Sequence, residues 1–257
     1  MHDIRYDAVH DEMVVPVPMA DAILTFRGGA DGQEAPIRII QGPKTGSIGS
    51  RLEVDPVHNE IFTIRDDHSI VVYPREANGD VAPIRVLQGP DTQLKNVNSL
   101  AVDPTNNVLA VGLQSDWGTE ECTEGIGHQG GRGGRCEKAA ILVFNRADQG
   151  NARPRSVIRG DKSRIIRINQ LQVWPQRKEI IVAMPGIFDK MEPPLAFVGV
   201  WSYDDNGDVP AKYEIPIGPV TKMKKPFGVA LDPKHKEVIV SDMRNQGILT
   251  YSVPEIF

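Results

Sequence analysis

Apolar residues in this chain fall into short runs, each closed by charged or turn-forming residues. Three runs recur in a fixed order. The first ends in Asp or its equivalent, at Tyr6-Asp7, Val54-Asp55, Val102-Asp103, Val173-Trp174 and Leu231-Asp232. The second follows a charged turn, at 12–17, 60–64, 108–113, 179–183 and 237–241. The third ends in an aromatic residue: Phe26, Tyr73, Phe144, Trp201 and Tyr251. A fourth, Pro-rich phrase ends in Gly, at 35–42, 81–89, 153–160 and 210–218. Val, Ile, Thr and aromatic residues fill the runs, and Asp, Asn, Gly and Pro separate them, which predicts β-strands joined by tight turns. No window sustains a helical period.

The aromatic positions set the spacing. From Phe26 to Tyr73 is 47 residues, and the later steps are 71, 57 and 50. The period is therefore roughly 48, with an insertion of about 24 residues in the third unit and about 10 in the fourth. Four strands per unit at this period predict an all-β chain folded as a β-propeller of four-stranded blades. Each blade is a sheet that needs its neighbours to cover both faces. The units are 1–42, 43–89, 90–160, 161–218 and 219–257, in one propeller domain spanning 1–257, with insertions at 114–138 and 185–196. Within a unit the strands read A (ending Val-Asp-Pro), B, C (ending in the aromatic) and D (Pro-Ile-Arg). Asp-Pro suits a tight A–B turn; Asn78-Gly79-Asp80 and Asn206-Gly207-Asp208 mark C–D turns.

Five A–B–C sets are legible but only four D strands, because 253–257 is short for a strand. Three outcomes compete: a sixth blade elsewhere in a longer protein, a five-bladed ring with a three-stranded last blade, or a partner that lends a strand to an open sheet edge.

The unit Tyr73, Asn78-Gly79-Asp80, Pro83-Ile84-Arg85-Val86-Leu87-Gln88-Gly89, Thr92, Leu94 and Leu100-Ala101-Val102-Asp103-Pro104 resembles the NHL-repeat and related six-bladed propellers of bacteria. The resemblance covers nearly the whole chain. It implies the propeller fold, which hosts binding scaffolds, lyases and lactone hydrolases alike. Five units instead of six, and Trp174 in place of Asp, depart from that pattern.

Composition is that of an ordinary globular protein: 257 residues, 40% apolar, 25% charged, net charge -5. Bulk charge does not point to nucleic acid. No apolar run approaches the ~18 residues of a membrane span. The first five residues, Met1-His2-Asp3-Ile4-Arg5, carry neither part of a signal peptide. The chain is thus cytosolic, or a mature or excised piece of an exported protein. Cys122 and Cys136 bracket a glycine-rich loop. Their disulfide would contribute roughly 3 kcal/mol in the chain-entropy picture and would imply a periplasmic or extracellular location; two independent thiols are the other reading.

In a blade, the D–A and B–C loops share one end and the A–B and C–D loops the other. The D–A loops carry Lys44, Lys95, Lys162, Arg164, Arg167, Lys222, Lys224 and Lys225. The C–D loops carry Asp31, Glu34, Glu76, Asp80, Asp148, Asp204, Asp205 and Asp208. One rim is expected to be basic and the other acidic, either to dock an anionic partner or because loops face water. Both insertions fall in B–C loops, where function concentrates on a rigid scaffold. The partner face is therefore expected to use Trp117, His128, Arg132 and Arg135 of the first insertion and Phe188 and Met191 of the second. Lys162, Arg164, Arg167, Lys222, Lys224 and Lys225 would surround them.

Catalytic sets are thin. Gly125-Ile126-Gly127-His128-Gln129-Gly130 matches a dinucleotide fingerprint, but no helix-forming segment follows it. Asp66-Asp67-His68 is a weak cation candidate. Gluconolactonase-like propellers, related by fold, hold a divalent ion on the axis; the corresponding positions here are Ser50, Asn98, Asn169 and Phe227, with Asp242 nearby, and Phe227 breaks the set. No Ser-His-Asp set, nucleophile elbow or Walker sequence is present. His10 and His58 occupy one blade position, which argues for a turn role. The expected function is a non-enzymatic binding or assembly module without cofactor, a subunit of an exported complex that engages protein partners. The alternative is a Ca2+-dependent hydrolase or lyase using Asn98, Asn169 and Asp242.

Overall fold

A computed structural model describes residues 3–115, 139–186 and 195–257. The fold is an all-β propeller arrangement of antiparallel sheets, each a simple meander. Sheet 1 holds β1 (Arg5–Asp7), β2 (Glu12–Val17), β3 (Ala22–Arg27) and β4 (Arg38–Gln41). Sheet 2 holds β5 (Leu52–Asp55), β6 (Glu60–Ile64), β7 (Ile70–Pro74) and β8 (Arg85–Leu87). Sheet 3 holds β9 (Val97–Asp103), β10 (Val108–Leu113), β11 (Ala140–Asn145) and β12 (Ser156–Ile158). Sheet 4 holds β13 (Gln170–Trp174), β14 (Glu179–Met184), β15 (Phe197–Ser202) and β16 (Tyr213–Pro216). Sheet 5 has three strands, β17 (Pro226–Asp232), β18 (Glu237–Asp242) and β19 (Gly247–Ser252). The five A–B–C sets and four D strands of the sequence are thus the sheets themselves. No helix among the described residues is long and apolar enough to cross a membrane.

Contacts group the chain into two compact units, 1–95 with 102–108 and 145–153, and 96–101 with 109–144 and 154–257. The division runs through sheet 3, as a nearest-neighbour architecture allows.

The A–B turns show why the sequence folds this way locally. Asp55 Oδ1 accepts the amides of Val57 and His58 at 3.0 Å, and its Oδ2 meets His58 Nδ1 at 2.8 Å. Asp7 with His10, Asp103 with Asn106 and Asp232 with His235 repeat the arrangement. The turn closes on a left-handed residue: Asp11, Asn59, Asn107, Lys178 or Lys236. His10 and His58 are turn residues, as their alignment predicts.

The core lies between sheets. In the first unit Val14, Ile23 and Ile40 of sheet 1 pack with Ile61, Val71 and Tyr73 of sheet 2. In the second, Ile181, Val198 and Ile215 of sheet 4 pack with Val229, Val238 and Val240 of sheet 5. Each such side chain is worth about 1.5–3 kcal/mol when fully buried. Two buried carboxylates are each held by a pair of guanidinium groups. Glu12 at the start of β2 accepts Arg38 at 2.5 Å and Arg75 at 2.6 Å. Glu60 at the start of β6 accepts Arg85 at 2.5 and 2.7 Å and also pairs with Arg146.

The acidic rim expected of the C–D loops is only partly there. Gly79 pairs in parallel with Ile40 of sheet 1, so the C–D segment climbs beside the preceding blade's D strand. Asp80 then reaches the D–A loop, where its Oδ1 accepts the amides of Lys44 at 2.7 Å and Thr45 at 3.3 Å. Asp208 does the same to Lys162 and Ser163 at 2.7 and 3.1 Å. These two carboxylates cap the basic loops instead of opposing them.

Candidate binding face

The residues expected to form a partner face divide into three groups. Trp117, His128, Arg132, Arg135, Phe188 and Met191, with Cys122 and Cys136, lie outside the described residues. Arg164 and Arg167 stand where the two B–C insertions leave the blades. Gln114, the first residue of the first insertion, bridges Arg167 in antiparallel fashion. Ser115 Oγ donates to Ile166 O at 2.7 Å. On the far side of the same arm, the Arg164 guanidinium lies 4.5 Å over the ring of Phe197, which opens β15 directly after the second insertion. Glu214 accepts from Arg164 at 3.0 Å. Both excursions are therefore rooted against one arm, 164–167, in the second compact unit.

That arm continues to the fifth sheet. Arg167 lies 5.7 Å over the Phe227 ring. Asn169 Nδ2 donates to Phe227 O at 2.6 Å, as Asn98 Nδ2 donates to Ile168 O at 2.8 Å. Gln170 Oε1 accepts the amide of Val229 at 2.8 Å. Amide side chains thus tie the A strand of sheet 3 to that of sheet 4, and that of sheet 4 to that of sheet 5. The loop before Phe227 carries the remaining cations. Lys222 and Lys224 are exposed and Lys225 is buried. Asp242, 2% exposed, holds this loop: Oδ2 accepts Lys224 and Lys225 amides at 2.6 and 3.0 Å, and Oδ1 accepts Arg244 and Asn245 amides at 2.9 Å. Lys162, also exposed, sits at the outer end of the arm.

Each of the three residues of the Ca2+ alternative also makes a structural hydrogen bond. Asn98 and Asn169 turn their amide nitrogens to neighbouring carbonyls, and both oxygens of Asp242 serve backbone amides. Among the described residues, Asp232, His235 and Glu237 have ligand atoms within 4.8 Å of one another. They form the A–B turn of sheet 5, and His235 Nδ1 already faces Asp232 at 2.7 Å. Asp67, with Asp66 and His68 a weak cation candidate, accepts the amide and hydroxyl of Ser69 at 2.9 and 2.6 Å.

Sequence reasoning missed the stacking of Arg164 on Phe197 and the Glu–Arg clusters of sheets 1 and 2. The latter had a signal: Glu12, Glu60 and Glu179 open B strands in the same phase, and Arg38, Arg85 and Lys212 precede or open the D strands.

The chain matches no protein-family model, and no curated protein matches it.

Proposed function

We propose that this chain is a non-enzymatic β-propeller module that holds a protein partner on the blade end carrying the B–C excursions 114–138 and 185–196. The observation that carries the reading is the rooting of both excursions on one arm, with Arg164 stacked on Phe197 and Arg167 bridged to Gln114. Long loops fixed to rigid strands are a binding device, and exposed Lys162, Lys222 and Lys224 beside them favour an anionic partner surface. The blade phrase of 73–104 supports kinship with NHL-repeat propellers. The module belongs to an exported complex, with Cys122 joined to Cys136.

The test compares the full chain with one in which 116–138 and 187–194 are replaced by short Gly-Ser linkers, and with Lys222→Glu/Lys224→Glu. Cross-linking in the source cell should give a defined partner for the full chain that both variants lose while melting unchanged. A partner kept by the trimmed chain, or Ca2+-dependent turnover of a lactone panel that EDTA abolishes, rejects the proposal. Intact mass under non-reducing conditions reads the disulfide.

A further inference from the structure

The residue two places after the C-strand aromatic holds one backbone position in sheets 2 to 5. The amide of Arg75 donates to Asn59 O at 2.8 Å and that of Arg146 to Asn107 O at 3.1 Å. The amide of Tyr203 donates to Lys178 O at 2.9 Å and that of Val253 to Lys236 O at 3.0 Å. In sheets 2 and 3 the side chain at this position answers the glutamate that opens the B strand of the preceding sheet. Arg75 NH1 meets Glu12 at 2.6 Å, and Arg146 pairs with Glu60. For sheet 3 both halves of the pair change together: Val108 opens β10, and the aligned residue of the next unit is Tyr203. For sheet 4 only one half changes. Glu179 opens β14, and the aligned residue is Val253.

Glu179 is therefore a fully buried carboxylate that lacks the inter-sheet guanidinium of its counterparts. Oε1 accepts Lys212 Nζ at 2.6 Å, and Arg177 Nε stands 3.8 Å from the same oxygen. Oε2 is buried with no partner. An acceptor in that condition carries a desolvation cost that the valine of sheet 3 avoids. Trp174 lies directly opposite Glu179 in the pairing of β13 with β14, so the two side chains leave the same face. Trp174 stands where sheet 2 has Asp55, whose Oδ2 lies 3.5 Å from Arg146 Nε. The indole Nε1 is also buried without an acceptor. Trp174 and Val253 both pack against the cluster of Ile181, Val200 and Val240. Beside Val253 lies a cavity of about 90 Å³, lined also by Val200, Tyr213 and Glu255. That is several times the space a water needs. The Lys212 and Arg177 side chains are partly in water, so the carboxylate lies one flexible side chain below solvent.

We propose that Glu179 and Trp174 form a receptor site for a guanidinium or alkylammonium group carried by a ligand. The cation takes the place that the Arg75 and Arg146 side chains take beside Glu12 and Glu60. Its N–H groups donate to Glu179 Oε2, a charge-assisted bond in a buried setting. The indole of Trp174 offers the cation an aromatic face. A ligand that also carries a carbonyl finds a donor in Trp174 Nε1. The chemistry of the occupant follows from the two copies of this position that already hold a guanidinium. The site belongs to the A–B and C–D end of sheet 4, away from the blade end proposed above, and does not rest on that reading.

The probe is methylguanidinium, titrated into the full chain at neutral pH and physiological salt, with N-methylurea as the uncharged control of the same shape. Saturable binding is expected with a Kd of about 1 mM or tighter, and N-methylurea should not bind. The indole N–H signal of Trp174, assigned by its loss in Trp174→Phe, should shift as the site fills. Glu179→Gln should weaken binding about tenfold or more. Val253→Arg supplies the guanidinium from within. It should abolish binding and raise the melting temperature by about 2–4 °C, the equivalent of one added hydrogen bond. Lys222→Glu/Lys224→Glu, at the other blade end, should bind the probe as the full chain does. The peptide acetyl-Gly-Arg-Gly-amide sorts the source of the cation. Binding tighter than that of methylguanidinium supports a partner's arginine, and equal or weaker binding supports a free small guanidine or amine. Absence of saturation, equal binding by Glu179→Gln, or equal binding of N-methylurea overturns the proposal. So does a folded Val253→Arg chain that melts no higher and still binds methylguanidinium.

Discussion

Sheets 2 and 5 are written in the same A–B–C phrase yet live in different surroundings. Every residue of β6 is buried, and so are four of the five in β7. In β19 none is buried, and Ile248 is 73% exposed. The strands form in both places, in the same order and with the same Asp-turn. Strand identity is therefore set locally, by turn chemistry and alternation, whereas burial is supplied by what lies alongside. The same contrast holds for charge. Glu60 receives Arg85 from its own sheet and Arg146 from the segment after β11. Glu179, at the same position in sheet 4, receives Lys212 at 2.6 Å, but its Oε2 has no partner and is buried. The residue of the next unit that aligns with Arg75 and Arg146 is Val253.

The largest effect should come from Ile61→Ala against Ile248→Ala. Ile61 is fully buried, so its truncation should cost about 3 kcal/mol through lost burial and the cavity left behind. Ile248→Ala should stay within about 0.5 kcal/mol. Equal urea midpoints for the two variants would break the comparison. Nearly as large, Glu60→Ala leaves Arg85 without its carboxylate and Arg146 with Asp55 alone, at 3.5 Å, and should cost about 3 kcal/mol. Glu179→Gln should cost under about 1 kcal/mol, since it removes a half-satisfied buried charge whose cation is already half in water. pH gives an independent reading of the same clusters. Burial works to raise the Glu60 pKa, but the Arg85 hydrogen bond and the Arg85 and Arg146 charges outweigh it and hold it below 4.5. Glu12 is lowered in the same way by Arg38 and Arg75. A depressed carboxylate adds stability above its unfolded pKa and loses it as pH falls through the folded value. Melting should therefore drop below pH 4.5, and less so in Glu60→Gln.

Most of the fold was legible because the repeat supplies the same local instruction several times over. The 12–17, 60–64 and 108–113 runs coincide with β2, β6 and β10 residue for residue. Legibility ended where a residue acts on another unit. Nothing around Asp80 says that it will climb past its own C–D turn to Lys44, because that contact depends on the parallel pairing of Gly79 with Ile40. For Asn98, Asn169 and Asp242 the side-chain type is visible in sequence, but the neighbouring carbonyls and amides that engage them are 17 to 71 residues away or, at Asp242, also folded back in a turn. The Arg164–Phe197 stack pairs residues of no shared phase in the repeat, so no periodicity could have announced it.

A smaller effect separates filled caps from the C–D segment of sheet 1. Asp208→Ala deprives two amides of their acceptor in a seat open to water and should cost about 1 kcal/mol. Asp31 precedes Gly32 as Asn206 precedes Gly207, but its side chain accepts only the amide of Gln33. Asp31→Ala should therefore lie within about 0.5 kcal/mol. If the two variants melt together, the inter-blade cap is worth no more than a solvated turn.

The smallest effect lies in the exposed turn of sheet 5 and should leave global stability unmoved. His235 is held above the ordinary imidazole value of 6.5, first by its hydrogen bond to Asp232 and then by that charge and Glu237. Asp232 is lowered by the same partner. For a raised imidazole, the pairing contributes fully below the unfolded pKa and fades as pH rises through the folded one. An NMR titration of the His235 ring should place its midpoint above 6.5, and Asp232→Ala should return it toward that value. The amide of His235 loses its acceptor in the same variant. Because the turn is in water, solvent can replace both bonds, and the melting temperature should stay where it was. A drop comparable to that of Ile61→Ala would mean that the exposed sheet depends on its turn as the buried one depends on its core, and the distinction between local strand identity and supplied burial would fail at the place where it is easiest to see.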